Sequence, residues 1–380
     1  MKIIDLFAGC GGLSLGFKKH NFRVIGYVDW EKSCIDTLKI NFGKDKRALF
    51  IIEDLRFSFN STKNRSRKLI NYSLENNLDG IIGGPPCQSY SIAGRVRDPG
   101  KMKNDYRNFL FESYVEWLNQ LRPKFFVFEN VAGMLSAKPK GPPIVELVSK
   151  SFNLIDYSIP KLNKDIVFDL AKLGGSQNRK RVIIFGVDKK SFDDHEERVK
   201  NFYENLEKQF SKPKTVFDAI GDLEKLIPLS KAEARASHNS SKNDILHRVR
   251  FHNKRDMKIF KLLAEDLQKN NPKYSTTHSI KSLYGKLVGR KSNVHKYYVL
   301  RWNQQSNLIP AHLYKDGLRH IHPDPSQSRS ITMREAARLQ NFPDNFIFEK
   351  SQSDIFKMIG NAVSPLMAEK IAFAVKNSMK

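Results

Sequence analysis

The chain has 380 residues, 40% of them hydrophobic, which is enough for a sizeable core and for two domains. Its 65 Lys and Arg against 40 Asp and Glu leave a formal net charge of +25, a balance shared by nucleic-acid-binding, ribosomal, membrane-surface and merely soluble basic proteins. No window reaches the length of a membrane-spanning helix, the N-terminus reads as a strand and not as a signal peptide, and Cys10, Cys34 and Cys87 are too few and too far apart for a disulfide framework or a structural zinc.

In chain order, Lys2 to Phe7 reads as a strand that ends in glycines, and Arg23 to Val28 as a second strand followed by a helix from Ser33 to Asn41. Ala48 to Ile52 and Leu78 to Ile82 are the third and fourth strands. A helix spans Tyr106 to Leu121, then Lys124 to Phe128 and Val182 to Val187 are apolar strands. Repeated β-α-β units predict an α/β fold with a mostly parallel sheet covered on both faces, which binds ligands beyond the carboxyl ends of its strands. From about Asp188 to Ser328 the alternation fades into a polar stretch too long for a loop, read as a second, smaller domain. Thr332 with Glu335 forms a capping box that opens a further helix, and a last helix follows Pro365. The expected division is 1–187, 188–328 and a return segment 329–380 packing back on the first domain.

The chemistry sits at the strand ends. Asp5-Leu6-Phe7-Ala8-Gly9-Cys10-Gly11-Gly12 joins a strand to a helix through a glycine-rich turn where a ligand can approach the backbone. It lacks the Gly-Lys-Ser/Thr ending of a P-loop and the spacing of a dinucleotide fingerprint, and it suits a nucleoside with an amino-acid tail such as S-adenosylmethionine. Asp29 can accept from ribose hydroxyls, Trp30 can stack on adenine, and Asp54 can accept from the adenine amine. Read singly, Asp29 and Trp30 are more often a helix cap and a core aromatic, and Asp54 is equally a loop carboxylate.

Gly83-Gly84-Pro85-Pro86-Cys87-Gln88 holds a cysteine rigidly just past a buried strand, which fits a nucleophile better than a packed thiol. Enzymes that methylate exocyclic amines need no such group. Carbon 5 of cytosine does, because it becomes nucleophilic only after a thiolate adds to carbon 6. Glu129, ending an apolar strand, can protonate ring nitrogen 3 and hold the exocyclic amine. Arg179 and Arg181 alternate ahead of the Val182 strand and can face the same site, although a basic run is more often a solvated face.

Taken together and in this order, these motifs resemble the cytosine-5 DNA methyltransferases, especially those of bacterial restriction-modification systems. The resemblance continues through Arg334-Glu335-Ala336-Ala337-Arg338-Leu339-Gln340 and Gly360-Asn361-Ala362-Val363. It covers nearly all of the chain except about 188–320. It implies a Rossmann-like methyltransferase sheet with a smaller DNA-recognition domain, and S-adenosylmethionine as cofactor without a metal. It further implies Cys87 as nucleophile, Glu129 as proton donor, Arg179 at the target base and Arg181 as its companion. Phe7, Ala8, Gly9, Gly11, Asp29, Trp30, Asp54, Pro86, Leu110 and Asn361 match cofactor-contacting positions. Residues 88 to about 105 match a loop that closes over the flipped base, with Gln88, Ser91, Arg95, Arg97 and Lys101 toward DNA. Ser176 stands where a Pro often precedes the Gln, and Asp29 where Glu is common.

Within the second domain, Lys242 to Lys258 concentrates cations, including Arg248 and Arg250, suited to phosphates, while Arg301, Asn303 and Gln304 are candidates for base readout. The expected partners are duplex DNA and a cognate restriction endonuclease that shares the site without stable contact. No membrane is expected; a reducing, cytoplasmic setting fits the cysteine usage, and a monomer in the bacterial cytoplasm, at the nucleoid when on DNA, is expected. A tRNA methyltransferase on the same fold is the first alternative, but the Cys-Phe-Thr signature usual in that group is absent. A non-catalytic DNA-binding relative is the second, against which the intact Pro-Cys, Glu and cofactor turn all speak.

Overall fold

The computed structural model describes residues 1–57, 66–86, 110–138, 142–230, 236–289 and 297–380. Among them, eight strands form one sheet: β1 (Lys2–Leu6), β2 (Arg23–Asp29), β3 (Leu49–Ile52), β4 (Gly80–Gly83), β5 (Phe125–Val131), β6 (Tyr157–Ser158), β7 (Val167–Asp169) and β8 (Lys180–Asp188). The order is β3-β2-β1-β4-β5-β8-β6, with β7 pairing separately on β8. Contacts from β3 through β5 are parallel, and β8 runs antiparallel to β5, β6 and β7. The strand order reverses between β1 and β4, where Leu6 pairs with Gly83. The glycine turn and the Gly84-Pro85-Pro86 exit therefore leave the sheet side by side at the switch point.

Period-two alternation sorts the strand residues onto two faces. Ile3, Phe125, Val127 and Phe185 face the helices Gly12–Lys19, Lys32–Phe42, His195–Glu207 and Pro365–Ser378. Ile4, Phe126, Phe128 and Ile184 face Ser66–Glu75, Leu110–Leu121 and Ile144–Leu154. The C-terminal helix packs against Gly12–Lys19, and Gly16 is the reason it can lie so close. A Cβ built there would sit 2.3 Å from the Glu369 amide nitrogen.

The first helix past the expected boundary at 188 packs on the sheet. The helix His195–Glu207 covers the sheet, with Phe202 stacked on Phe185 at 4.4 Å between ring centroids and the Tyr203 hydroxyl donating to the Ile183 carbonyl at 3.0 Å. The polar region beyond it is not irregular. Helices Lys254–Leu267 and Thr277–Val288 enclose a separate small core of Ile259, Phe260, Leu263, Ile280, Leu283, Tyr297 and Ile321. The capping box opens the helix Met333–Leu339 as predicted, with the Thr332 hydroxyl accepting from the Glu335 amide at 3.2 Å. Arg329 to Ile331 pair with His320 to His322, across the expected start of the return segment at 329.

Candidate active site

The glycine turn is set by three residues in the left-handed region: Phe7 at φ +56°, Gly9 at +54° and Gly11 at +93°. A side chain at Gly11 would strike Leu38 and Phe42, each 2.6 Å from a built Cβ, whereas Gly9 opens on free space with nothing within 4 Å. Asp29 accepts from the Gly9 amide at 2.8 Å and from the Glu31 amide at 2.9 Å. Burial lifts its carboxyl to about 6, against the pull of those two hydrogen bonds. Each oxygen keeps a lone pair for a ribose hydroxyl. Trp30, beside it, leaves 59% of its surface exposed, a flat ring free to stack. Open backbone, a carboxylate with spare acceptors and an exposed indole fit a nucleoside cofactor.

Asp5, which opens the turn motif at the end of β1, lies beneath the turn. It is buried, accepts from the Ser14 hydroxyl at 2.5 Å, and burial raises it to about 7. Asp54, expected at the adenine amine, accepts instead from the Arg56 amide at 3.1 Å and is paired with the Arg56 guanidinium. Burial raises its carboxyl less than those hydrogen bonds lower it, so it sits below its ordinary range. Leu110 is buried at the start of its helix, Pro86 is half-buried, and Asn361 is exposed at the end of the helix Gln352–Asn361.

At the end of β5, Glu129 is 8% exposed, and Arg181 Nε lies 2.8 Å from its Oε1. Burial pushes the Glu129 carboxyl up despite the neighbouring Arg181 and Arg179 cations. Such a group can carry a proton to a substrate. Gly84 presses on it, a built Cβ falling 2.8 Å from Glu129 Oε2, and Asn130 Nδ2 reaches the Pro85 carbonyl at 3.4 Å. The chain that leads to Cys87 thus passes directly over the acid. Cys87, Gln88, Ser91, Arg95, Arg97 and Lys101 themselves lie outside the described residues.

Arg179, expected at the target base, has its Nη groups committed elsewhere. Nη1 donates to the Ile309 carbonyl at 3.3 Å, and Nη2 to those of Gly360 and Ala362 at 3.0 and 2.9 Å. Gln177 and Gln340 lie in the quoted motifs without an assigned role, and both are fully buried in the same network. Gln177 Nε2 donates to Gln340 Oε1 at 2.7 Å, and Gln340 Nε2 to the Ala362 carbonyl at 2.7 Å.

A family model of C-5 cytosine-specific DNA methylases matches residues 1–377. The chain belongs to that family. It is a DNA (cytosine-5)-methyltransferase that uses S-adenosylmethionine. It is 31% identical to the type II methyltransferase M.Bpa9945I of Bacillus paralicheniformis, across 99% of either chain. It is also 31% identical to the type II methyltransferase M.NgoPII of Neisseria gonorrhoeae, across 100% of this chain and 96% of that one. Among solved structures, an Escherichia coli prophage chain described as a DNA modification methyltransferase matches at 29% identity and a TM-score of 0.64. That match covers 100% of this chain and 99% of the other.

In the methyltransferase's second region, Arg248 is exposed, while Arg250 is half-buried and donates to the Lys315 carbonyl at 3.0 Å. Lys242, Lys254, Arg255 and Lys258 are exposed as well. Asn303 and Gln304 are exposed on a segment pinned by its main chain, where the Val216 amide donates to the Gln304 carbonyl at 2.8 Å. Arg301 is half-buried over the Tyr298 ring, 5.9 Å from its centroid. Among the described residues no group of three or more His, Cys, Asp or Glu could hold a metal, and no helix is long and apolar enough to cross a membrane.

Proposed function

We propose that Cys87, Glu129 and Arg181 carry out the transfer on a cytosine that has left the stack of a DNA duplex. Phe7, Ala8, Gly9, Gly11, Asp29, Trp30, Pro86, Leu110 and Asn361 line the cofactor site, with Asp54 at its edge. The observation that carries this reading is the buried Glu129 carboxyl with Arg181 beside it and Gly84, three residues ahead of Cys87, against it. Inside a duplex neither face of carbons 5 and 6 is open, so the base must flip.

The Cys87 thiolate forms a bond to carbon 6 and drives the electron pair toward carbon 5. Glu129 gives a proton to ring nitrogen 3 and accepts from the exocyclic amine, which separates cytosine from thymine. Arg181 holds the Glu129 carboxyl in place. Bound S-adenosylmethionine supplies an electrophilic methyl group. Solvent water then takes the carbon-5 proton, the freed electron pair restores the carbon 5–carbon 6 double bond as the carbon 6–sulfur bond breaks to release the Cys87 thiolate, and nitrogen 3 returns its proton to Glu129.

The exposed cations around Arg248 and the Arg301–Gln304 segment make up a recognition region that chooses the target sequence. Relatives bearing the name type II methyltransferase support a restriction-modification role for this enzyme as well. Its endonuclease acts on the same sequence without stable contact, and the methyltransferase works as a monomer in the bacterial cytoplasm, at the nucleoid when on DNA.

Labelled methyl transfer tests the reading on duplex DNA and on tRNA, with bisulfite sequencing to place the product. Transfer to DNA is expected, lost in Cys87→Ser while S-adenosylhomocysteine still binds, because a serine hydroxyl is too basic to ionise near neutral pH. Transfer to tRNA alone would favour the alternative on the same fold. Near wild-type transfer by the serine variant would remove Cys87 from the reaction.

A further inference from the structure

We propose that Arg179 is a positioning residue that ties the cofactor turn to the recognition region, and not a contact to the target base. The inference rests on the reading of the Phe7–Gly12 turn as the cofactor site. Arg179 is 2% exposed, and its two Nη groups gather carbonyls from three places: Ile309, Gly360 and Ala362. Only Nε lacks a partner among the described residues.

Each of those carbonyls leads to a functional segment. Gly360 and Ala362 flank Asn361, so Nη2 fixes the main chain on both sides of that exposed side chain. One residue further, the Val363 carbonyl rests on the cofactor turn itself, only 2.1 Å from a Cβ built on Gly12. In the other direction, Ile309 follows the Arg301–Gln304 segment, and its amide donates to Gln177 Oε1 at 3.0 Å. The two sides also touch, since a Cβ on Gly360 would lie 2.3 Å from the Ala311 amide nitrogen. A planar guanidinium can hold three carbonyls at once, whereas a lysine ammonium on the same stem is a single point charge.

Arg179→Lys tests this, with S-adenosylhomocysteine binding measured by calorimetry without DNA. Affinity should weaken about ten-fold, since hydrogen bonds from a charged group carry most of the clamp. The KM for S-adenosylmethionine should rise with it, while kcat at saturating cofactor stays within about two-fold. A merely unstable variant would instead lose active fraction at unchanged KM. Gln340→Met removes one neutral donor from the same Ala362 carbonyl and should weaken binding about three-fold, which keeps the test alive if the lysine variant does not fold. Arg181→Lys is the contrast: transfer should fall while S-adenosylhomocysteine binds as before.

In the unmutated enzyme, S-adenosylhomocysteine should slow amide exchange at 306–311, across the clamp. Unchanged affinity in Arg179→Lys and Gln340→Met, or no protection at 306–311, overturns the inference. Loss of covalent trapping on 5-fluorocytosine DNA at unchanged cofactor affinity also overturns it, by returning Arg179 to the base. If the unmutated enzyme fails to bind S-adenosylhomocysteine at all, the cofactor reading has failed, and the inference falls with it.

Discussion

Arg181 Nε lies 2.8 Å from Glu129 Oε1, and both side chains are about nine-tenths buried. β5 and β8 make this contact, for Glu129 pairs with Ile183 in the antiparallel register that brings Arg181 alongside. Desolvation of such a pair offsets much of its Coulomb attraction. Here it leaves the carboxyl raised above its usual range, as the proposed proton donor to ring nitrogen 3 requires.

Glu129→Gln should therefore lower single-turnover methyl transfer by ~10²–10⁴-fold while DNA still binds, because an amide can donate a hydrogen bond but not a proton. The wild-type rate should fall as pH rises through the Glu129 pKa, since ionisation removes the acid, and the variant should lose that limb. A pH–rate series on both proteins checks this, and an unchanged limb in the variant would exclude Glu129.

Asp29 should make cofactor affinity depend on pH in the opposite sense. Its folded pKa of about 6 lies above the unfolded value, so the folded protein holds an extra proton between the two. Its contribution to stability is present at acid pH and is lost as pH rises through about 6. Ribose hydroxyls need the ionised form as acceptor, so S-adenosylhomocysteine should bind more weakly at pH 5 than at pH 7. Calorimetry on Asp29→Asn should give weaker binding with this dependence flattened.

Gly16→Ala should destabilise the fold although alanine is the better helix former by ~1 kcal/mol. The added Cβ would lie 2.4 Å from the Ala368 carbonyl carbon and 2.3 Å from the Glu369 nitrogen, which are backbone atoms that cannot rotate aside. A net loss of about 1–3 kcal/mol in denaturant unfolding is expected, typical of overpacking. A gain in stability would mean that the two helices separate easily.

Neutralising Arg248, Lys254 and Lys258 should weaken DNA binding on every sequence and reduce the salt slope by about 3, roughly 0.9 for each phosphate contact. A slope that does not change would place these exposed cations away from DNA. Sequence choice should instead travel with the recognition region when it is grafted onto a relative. The graft should begin after the helix His195–Glu207, because a cut at 188 would strip that helix from the sheet it covers. An active chimera that keeps the recipient's target would put specificity elsewhere.

The sequence by itself determined the parallel sheet, the switch-point turn, the acid at the end of β5, the Thr332 cap and the family. Those features are local: a strand's alternation, a glycine turn and a capping box are each written within a dozen residues. Tertiary structure decided the matters that depend on distant partners. An amphipathic helix states which face is apolar but not what covers it, so only packing assigned His195–Glu207 to the sheet. The Arg179 guanidinium gathers the carbonyls of Ile309, Gly360 and Ala362, which lie 130, 181 and 183 residues away along the chain. A buried guanidinium must satisfy its donors wherever carbonyls converge, and that convergence is a property of the folded chain alone.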